Sequence, residues 1–232
     1  MGKDVIIACD FSDRKTTLDF LDMFPGRKPF VKIGMELFYA EGPDIVREIK
    51  KRGHSIFLDL KLHDIPNTVR KSMAVLSSLD VDMCNLHVAG ASAMMRAALE
   101  GLTRSDGTRP LLIGVTQLTS TSEDMMHEEL LIGGKIEDVV MSYALNAKKC
   151  GLDGVVCSPR EAGIVHSACG GEFLTVTPGV RFADGETGDQ SRVMTPAQAG
   201  EIGSDYIVVG RPITAADDPV AAYDRCVKEF VG

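Results

Sequence analysis

Eight short β-rich apolar runs, each followed by a helix-like segment, predict an α/β protein: a (β/α)8 TIM barrel forming a single domain over residues 1–232. The runs are nearly continuous in hydrophobicity, as expected of parallel strands covered on both faces. They alternate regularly with helical segments. The length, 232 residues, suits one barrel better than two ordinary domains. The competing architecture, an open doubly wound sheet, would favour a GxGxxG turn after the first strand, where "CDFSDRK" stands instead.

The elements follow in order. "VIIACD" (5–10) reads as the first strand and leads to "DRKTTLDFLDMF". "FVKIG" (30–34) is followed by "GPDIVREIKKRG", and "SIFLDLK" (55–61) by "PNTVRKSMAVLSSL". "MCNLHV" (83–88) leads into "SAMMRAALEGL". After "LLIGVTQL" (111–118) comes an extra amphipathic piece, "SEDMMHEELL", and then "KIEDVVMSYALNAKKCG". "GVVCS" (154–158), "FLTVTPG" (173–179) and "YIVVG" (206–210) precede "PREAGIVHSACG", "TPAQAGEIG" and "DPVAAYDRCVKEF". Several of these segments open on Pro or Asp and close on Gly, which are helix start and stop signals. The long irregular stretch at 179–193, "GVRFADGETGDQSRV", is Gly-rich and charged and is expected to be a mobile loop over a site.

Composition narrows the function classes. Lys and Arg number 25 against 33 Asp and Glu, a net charge of -8. That argues against a broad nucleic-acid or membrane surface, so neither is expected as a partner. A local cluster of cations for an anionic substrate remains open. The six cysteines (Cys9, Cys84, Cys150, Cys157, Cys169, Cys226) form no C-x-x-C pair and are expected to be reduced, packed thiols. With no signal peptide before the first strand and no apolar stretch near ~18 residues, a cytoplasmic protein is expected.

Barrel active sites lie at the C-terminal ends of the strands. Asp10 ends the first run, Lys32 lies within the second, Asp59 and Lys61 end the third, Asn85 and His87 lie near the end of the fourth, Thr116, Gln117 and Thr119 end the fifth, and Gly210 and Arg211 end the eighth. In "FLDLKLHDIPNT" (57–68), side-chain alternation puts Leu58, Leu60 and Leu62 on one face and Phe57, Asp59 and Lys61 on the other. With the leucines towards the helices, Asp59 and Lys61 point into the barrel mouth. Buried charges need partners, and Lys32, Asp10 and Asp64 supply more charge than one structural ion pair requires.

A separate anion site is expected from the loops after strands seven and eight, which carry Gly179, Arg181, Gln190, Gly210 and Arg211. Glycine lets backbone N–H groups approach an anion, and a guanidinium grips it in fork geometry. Thr119 can bond a ligand amide or cap the next segment. No His, Asp and Glu cluster has metal-ligand spacing, so no metal is expected. His54, His127 and His166 read as surface residues, and Cys9 and Cys84 as core.

"FLDLKLHDIPNTV" closely resembles the D-x-K-x-x-D-I-P-x-T motif of the bacterial orotidine 5′-monophosphate decarboxylase family. "VKIGMELFYAEGPDIV", "VTQLTS", "HEEL", "GLDGVVCS", "TPGVRFADGETGDQ" and "DYIVVGRPIT" resemble the same family in the same order, so the likeness spans roughly 5–225. Departures such as Cys9 and "SSLDVD" touch no expected contact. The resemblance implies a cofactor-free barrel lyase, a homodimer, that converts orotidine monophosphate to uridine monophosphate and carbon dioxide. It implies that Lys61 donates a proton to C6 and that Asp59 lies beside the departing carboxylate. Asp64 from the neighbouring subunit would complete an alternating Lys32–Asp59–Lys61–Asp64 array. Asp10, Lys32 and Thr68 would hold the ribose, Thr68 across the interface. Thr119 and Pro178 would meet the pyrimidine, and Arg181, Gln190, Gly210 and Arg211 the phosphate. Sugar-phosphate decarboxylases and synthases of the same superfamily share D-x-K-x-x-D but use a metal. "IPNT" and "VTQLTS" argue against them, and the intact Asp59, Lys61 and Asp64 argue against a catalytically silent binding barrel.

Overall fold

In the computed structural model, residues 3–183 and 194–232 are described. Eight parallel strands close into a barrel in chain order: β1 (Asp4–Ala8), β2 (Phe30–Gly34), β3 (Ile56–Leu62), β4 (Met83–His87), β5 (Leu111–Val115), β6 (Gly154–Val156), β7 (Leu174–Pro178) and β8 (Tyr206–Val209). Closure is made by β1 on β8, with Val5 opposite Ile207 and Ile7 opposite Val209. The (β/α)8 expectation therefore stands.

Strand alternation divides the core in two. Ile6, Ala8, Phe30, Phe57, Met83, Ile113, Leu174, Val176, Tyr206 and Val208 form a compact cluster. These are every-other positions of the strands, so they fill the barrel interior. The intervening residues, among them Val5, Ile7, Val31, Ile33, Leu58, Cys84 and Ile207, belong to a larger cluster with the helices. Leu60 and Leu62 pack against that outer cluster. The parity assigned to β3 is therefore correct: leucines face outward, and Phe57 faces the interior.

The surrounding helices are α1 (Arg14–Asp22), α2 (Met35–Glu41), α3 (Pro43–Lys51), α4 (Pro66–Ser77), α5 (Ala91–Leu102), α6 (Glu123–Glu128), α7 (Ile136–Cys150), α8 (Ala162–Cys169), α9 (Pro196–Ile202), α10 (Arg211–Thr214) and α11 (Pro219–Val231). Their ends obey ordinary capping chemistry. Asp13 accepts from Thr16 N–H at the start of α1, and Asp218 accepts from Ala221 N–H at the start of α11. Gly151 and Gly203 close α7 and α9 in the left-handed conformation.

Two helices escape the sequence reading. "MELFYAE" forms α2 directly after β2, and "RPIT" forms the single turn α10 after β8. Both are too short to show an apolar stripe, so periodicity could not reveal them. The amphipathic piece before α7 becomes a helix only over Glu123–Glu128, and β5 ends at Val115, before the polar Thr116 and Gln117.

The six cysteines are free and buried. His54 corrects an expectation: it is 2% exposed, not a surface residue. Its Nδ1 bonds the Pro29 carbonyl at 2.9 Å, which lets a residue outside a regular element lie under the fold. His166 is half-buried and paired with Asp205 at 3.0 Å, whereas His127 is exposed.

Candidate active site

The chemistry-bearing side chains occupy the next inward layer above the interior cluster. Two residues beyond Phe30 on β2 is Lys32, and two beyond Phe57 on β3 is Asp59. Two beyond Met83 is Asn85. The apolar layer below seals these groups from the far end of the barrel.

Asp59 is the hub. It is 8% exposed. Its Oδ1 receives Lys61 Nζ at 2.6 Å and Asn85 Nδ2 at 2.7 Å, while its Oδ2 lies 3.4 Å from Lys32 Nζ. Lys32 Nζ continues to Asp10 Oδ1 at 2.8 Å. An alternating series Asp10–Lys32–Asp59–Lys61 results within the one chain. Gly34 makes room for it, because a Cβ there would stand 3.1 Å from Asp10 Oδ1 and 3.3 Å from Lys32 Nζ.

Electrostatics agree with this geometry. Burial alone would push the Asp59 carboxyl up. The charges of Lys32 and Lys61, with hydrogen bonds from Lys61 and Asn85, outweigh burial and hold it below the ordinary carboxylate range. Burial likewise disfavours the Lys32 ammonium, but Asp59 and Asp10 outweigh it and raise the Lys32 pKa. Removing one member of such a buried pair typically costs about 3–5 kcal/mol, because the other charge is stranded.

Lys61 sits in a left-handed backbone conformation, φ 50°. That is uncommon for a residue with a Cβ and costs about 1–2 kcal/mol. Its N–H donates to Asn85 Oδ1 at 2.8 Å. The sequence reading noted Asn85 at a strand end but assigned it no role. An inward polar residue two positions beyond Met83 was the available signal.

Asp10, Lys32, Pro178, Gly179, Arg181, Gly210 and Arg211 line one cavity of about 350 Å³. Seven expected residues from β1, β2, β7 and β8 thus converge. Gly179 has φ 83°, a turn conformation that favours glycine. The backbone N–H of Arg181 donates to the Met194 carbonyl at 2.9 Å, so the chain on either side of 184–193 is paired. Gln190 and the greater part of the 179–193 loop lie outside the described residues.

Thr119 is not on that cavity wall. It lies in the turn after β5, whose Leu118 and Thr121 line a second, mainly apolar cavity of about 350 Å³ that also includes His87 and Gln117. Burial, with the nearby charges of His63 and Lys61, lowers the His87 pKa. The His63 and His87 rings are 5.7 Å apart. Asp64 and Thr68 are exposed on the segment after β3, and Asp64 Oδ1 accepts the N–H of Ile65 at 2.6 Å.

Comparison with known proteins shows the family. The sequence profile of the Orotidine 5'-phosphate decarboxylase / HUMPS family matches residues 3–226. The chain is 54% identical over 235 aligned positions to the orotidine 5'-phosphate decarboxylase of Geobacillus sp. (strain WCH70), covering 100% of this chain and 98% of the relative. It is equally similar, at 54%, to the enzyme of that name from Bacillus cytotoxicus, covering 100% and 99%. Among solved structures, the orotidine 5'-phosphate decarboxylase of Lactobacillus acidophilus superposes with a TM-score of 0.89 at 41% identity, covering 99% of this chain and 100% of that one. An uncharacterized conserved protein from Geobacillus kaustophilus superposes with a TM-score of 0.87 at 47% identity, covering 97% and 99%. The chain belongs to the Orotidine 5'-phosphate decarboxylase / HUMPS family.

Proposed function

We propose that the chain catalyses the cofactor-independent decarboxylation of orotidine 5′-monophosphate to uridine 5′-monophosphate and carbon dioxide, the last step of de novo pyrimidine nucleotide synthesis. The observation that carries this reading is the Asp10–Lys32–Asp59–Lys61 chain of alternating charges, whose Asp10 and Lys32 line one cavity together with Arg181 and Arg211. The names and full-length identity of its relatives support it.

The chemical difficulty is electronic. Breaking the bond between C6 and the carboxylate leaves its electron pair on C6, where the pyrimidine offers no adjacent sink. Many decarboxylases take such a sink from a cofactor. A fixed cation at C6 is the alternative, and an ammonium can both stabilise the carbanion and donate the proton that quenches it. Lys61 is assigned both tasks. Carbon dioxide leaves, C6 gains a proton, and the neutral amine of Lys61 is reprotonated from solvent.

Asp59 would stand against the substrate carboxylate. Two like charges ~4 Å apart at an effective dielectric of ~20 repel by about 4 kcal/mol. An acceleration of ~10¹⁰ needs about 14 kcal/mol. Repulsion therefore supplies the smaller share, and carbanion stabilisation by Lys61 the larger. Asp59 also holds Lys61 in place, which is the preorganisation that electrostatic catalysis requires.

The remaining roles follow the cavity. Asp10 and Lys32 hold the ribose hydroxyls, Pro178 and Thr119 the base, and Arg181, Gln190, Gly210 and Arg211 the phosphate. Binding energy from the remote phosphate would be drawn on in the chemical step. The protein is a homodimer in this reading, with Asp64 and Thr68 of each subunit completing the site of the other; the exposure of both residues supports this. A cytoplasmic location is supported by six free thiols. No helix among the described residues is long and apolar enough to cross a membrane.

The test is loss of orotidine monophosphate absorbance on adding the protein in the presence of EDTA. Turnover in EDTA is the expected result. A strict need for added Mg²⁺, or no turnover, would overturn the reading.

A further inference from the structure

Pairing between β3 and β4 breaks where the chemistry sits. Leu58 stands opposite Cys84, and the next matched pair is Leu62 with Leu86. The chain advances from 58 to 62 on β3 while β4 advances only from 84 to 86, so Asp59–Lys61 cannot keep regular pairing with β4. Lys61 takes φ 50° in this bulge. Its N–H, which a regular ladder would direct to a carbonyl, goes instead to Asn85 Oδ1 at 2.8 Å. The other end of the same amide donates to Asp59 Oδ1 at 2.7 Å, the oxygen that also receives Lys61 Nζ at 2.6 Å. One amide orientation satisfies both contacts, oxygen towards the N–H and NH₂ towards the carboxylate. Asn85 is 1% exposed, so water does not substitute for it.

We propose that Asn85 is a positioning residue: its amide clamps the bulged backbone of Lys61 and the counter-ion of Lys61 simultaneously, and so aims the ammonium. The inference rests on the role proposed above for Lys61. Asn85 need not touch substrate, so its loss should lower kcat far more than it alters KM. A residue that merely filled the bulge would change stability and leave kcat alone.

The experiment compares the wild-type chain with Asn85→Ala and Asn85→Asp by steady-state kinetics on orotidine monophosphate, with crystal structures of each. Asn85→Ala is expected to lower kcat about 100-fold with KM within about threefold, as for a reacting group misplaced by about 1 Å. Asn85→Asp keeps the shape. When protonated, its carboxyl can accept from Lys61 N–H and donate to Asp59 as the amide does. Its kcat should therefore recover towards acid pH, while that of Asn85→Ala does not. The titratable groups around that carboxyl are Asp59 and Lys61, which Asn85 bonds directly, Lys32 on the other oxygen of Asp59, and His87, two positions along β4, with His63 beside it. A kcat of Asn85→Ala within threefold of wild type would overturn the proposal. So would an Asn85→Asp profile parallel to that of Asn85→Ala. If the wild type itself fails to turn over, the functional reading is lost and the crystal structures decide. An Asn85→Ala structure in which Lys61 keeps φ near 50° and its contact with Asp59 would overturn positioning.

Discussion

Lys61 Nζ lies 2.6 Å from Asp59 Oδ1, although the two residues are only two positions apart on one strand. In a regular strand, neighbours on one face are separated by about 6.6 Å along the chain and their side chains stand parallel. The bulge and the left-handed turn at Lys61 are what accompany the closer approach here. Lys32 contacts the opposite oxygen of the same carboxylate at 3.4 Å. The Asp59 carboxylate is thus shared, and neither lysine can be altered without changing the field at the other.

Lys61→Ala should nearly abolish turnover while the barrel survives. Loss of a proton donor and of a charge at the developing carbanion together predict a fall in kcat of at least about 10⁴-fold. Asp59 keeps Lys32 and Asn85 as partners, so the far-UV circular dichroism should be that of the wild type. Full activity in this variant would remove Lys61 from the mechanism.

Arg211→Ala should lower kcat/KM for the phosphorylated substrate by about 10- to 100-fold, the worth of a charge-assisted hydrogen bond of about 1.5–3 kcal/mol. The same substitution should barely change turnover of orotidine, which lacks the phosphate. Equal losses on both substrates would contradict a phosphate clamp.

The proposed sharing of Asp64 makes a prediction about mixtures. Asp64→Asn and Lys61→Ala should each be nearly inactive alone. Co-refolded, they should regain up to about a quarter of wild-type activity, because half of the dimers are mixed and each has one intact site. Mixtures no more active than their components would place Asp64 in the site of its own chain or outside any site.

Stability should fall as pH drops below neutrality. Burial, opposed by the bond to Pro29 and reinforced by Lys28 and Arg52, lowers the His54 pKa from 6.5. Burial lowers that of His87 as well. Each histidine therefore binds protons more readily in the unfolded chain. The stability is complete above 6.5 and is lost progressively as pH falls from there towards the lower folded values. His54→Asn keeps a donor for the Pro29 carbonyl and removes the titration. Urea unfolding between pH 5.5 and 7 should show a shallower pH dependence in this variant, and an unchanged slope would exclude His54 as a contributor.

The fold was legible because its signals are local. Near-continuous apolar runs marked all eight strands, and Pro, Asp and Gly marked helix ends. Strand parity predicted that Asp59 faces inward beside Phe57, and it does. His54 was misread because burial of a lone histidine between β2 and β3 leaves no periodic trace. Thr119 stands in the turn beyond Val115, where β5 ends, and is not among the residues lining the cavity of Asp10 and Lys32, a separation that strand order alone does not encode.

The sequence by itself determined which residues could do chemistry: charged side chains at the ends of apolar strands, held there by a two-residue alternation that any strand obeys. Tertiary structure decided which of them meet. Only closure of β1 on β8 brings Pro178, Gly210 and Arg211 to the same cavity as Asp10 and Lys32. Only the slip in register between β3 and β4 turns Lys61 back onto Asp59 and calls on Asn85 to brace it. Distances between strands depend on how the whole sheet closes, and no local pattern in the chain encodes them.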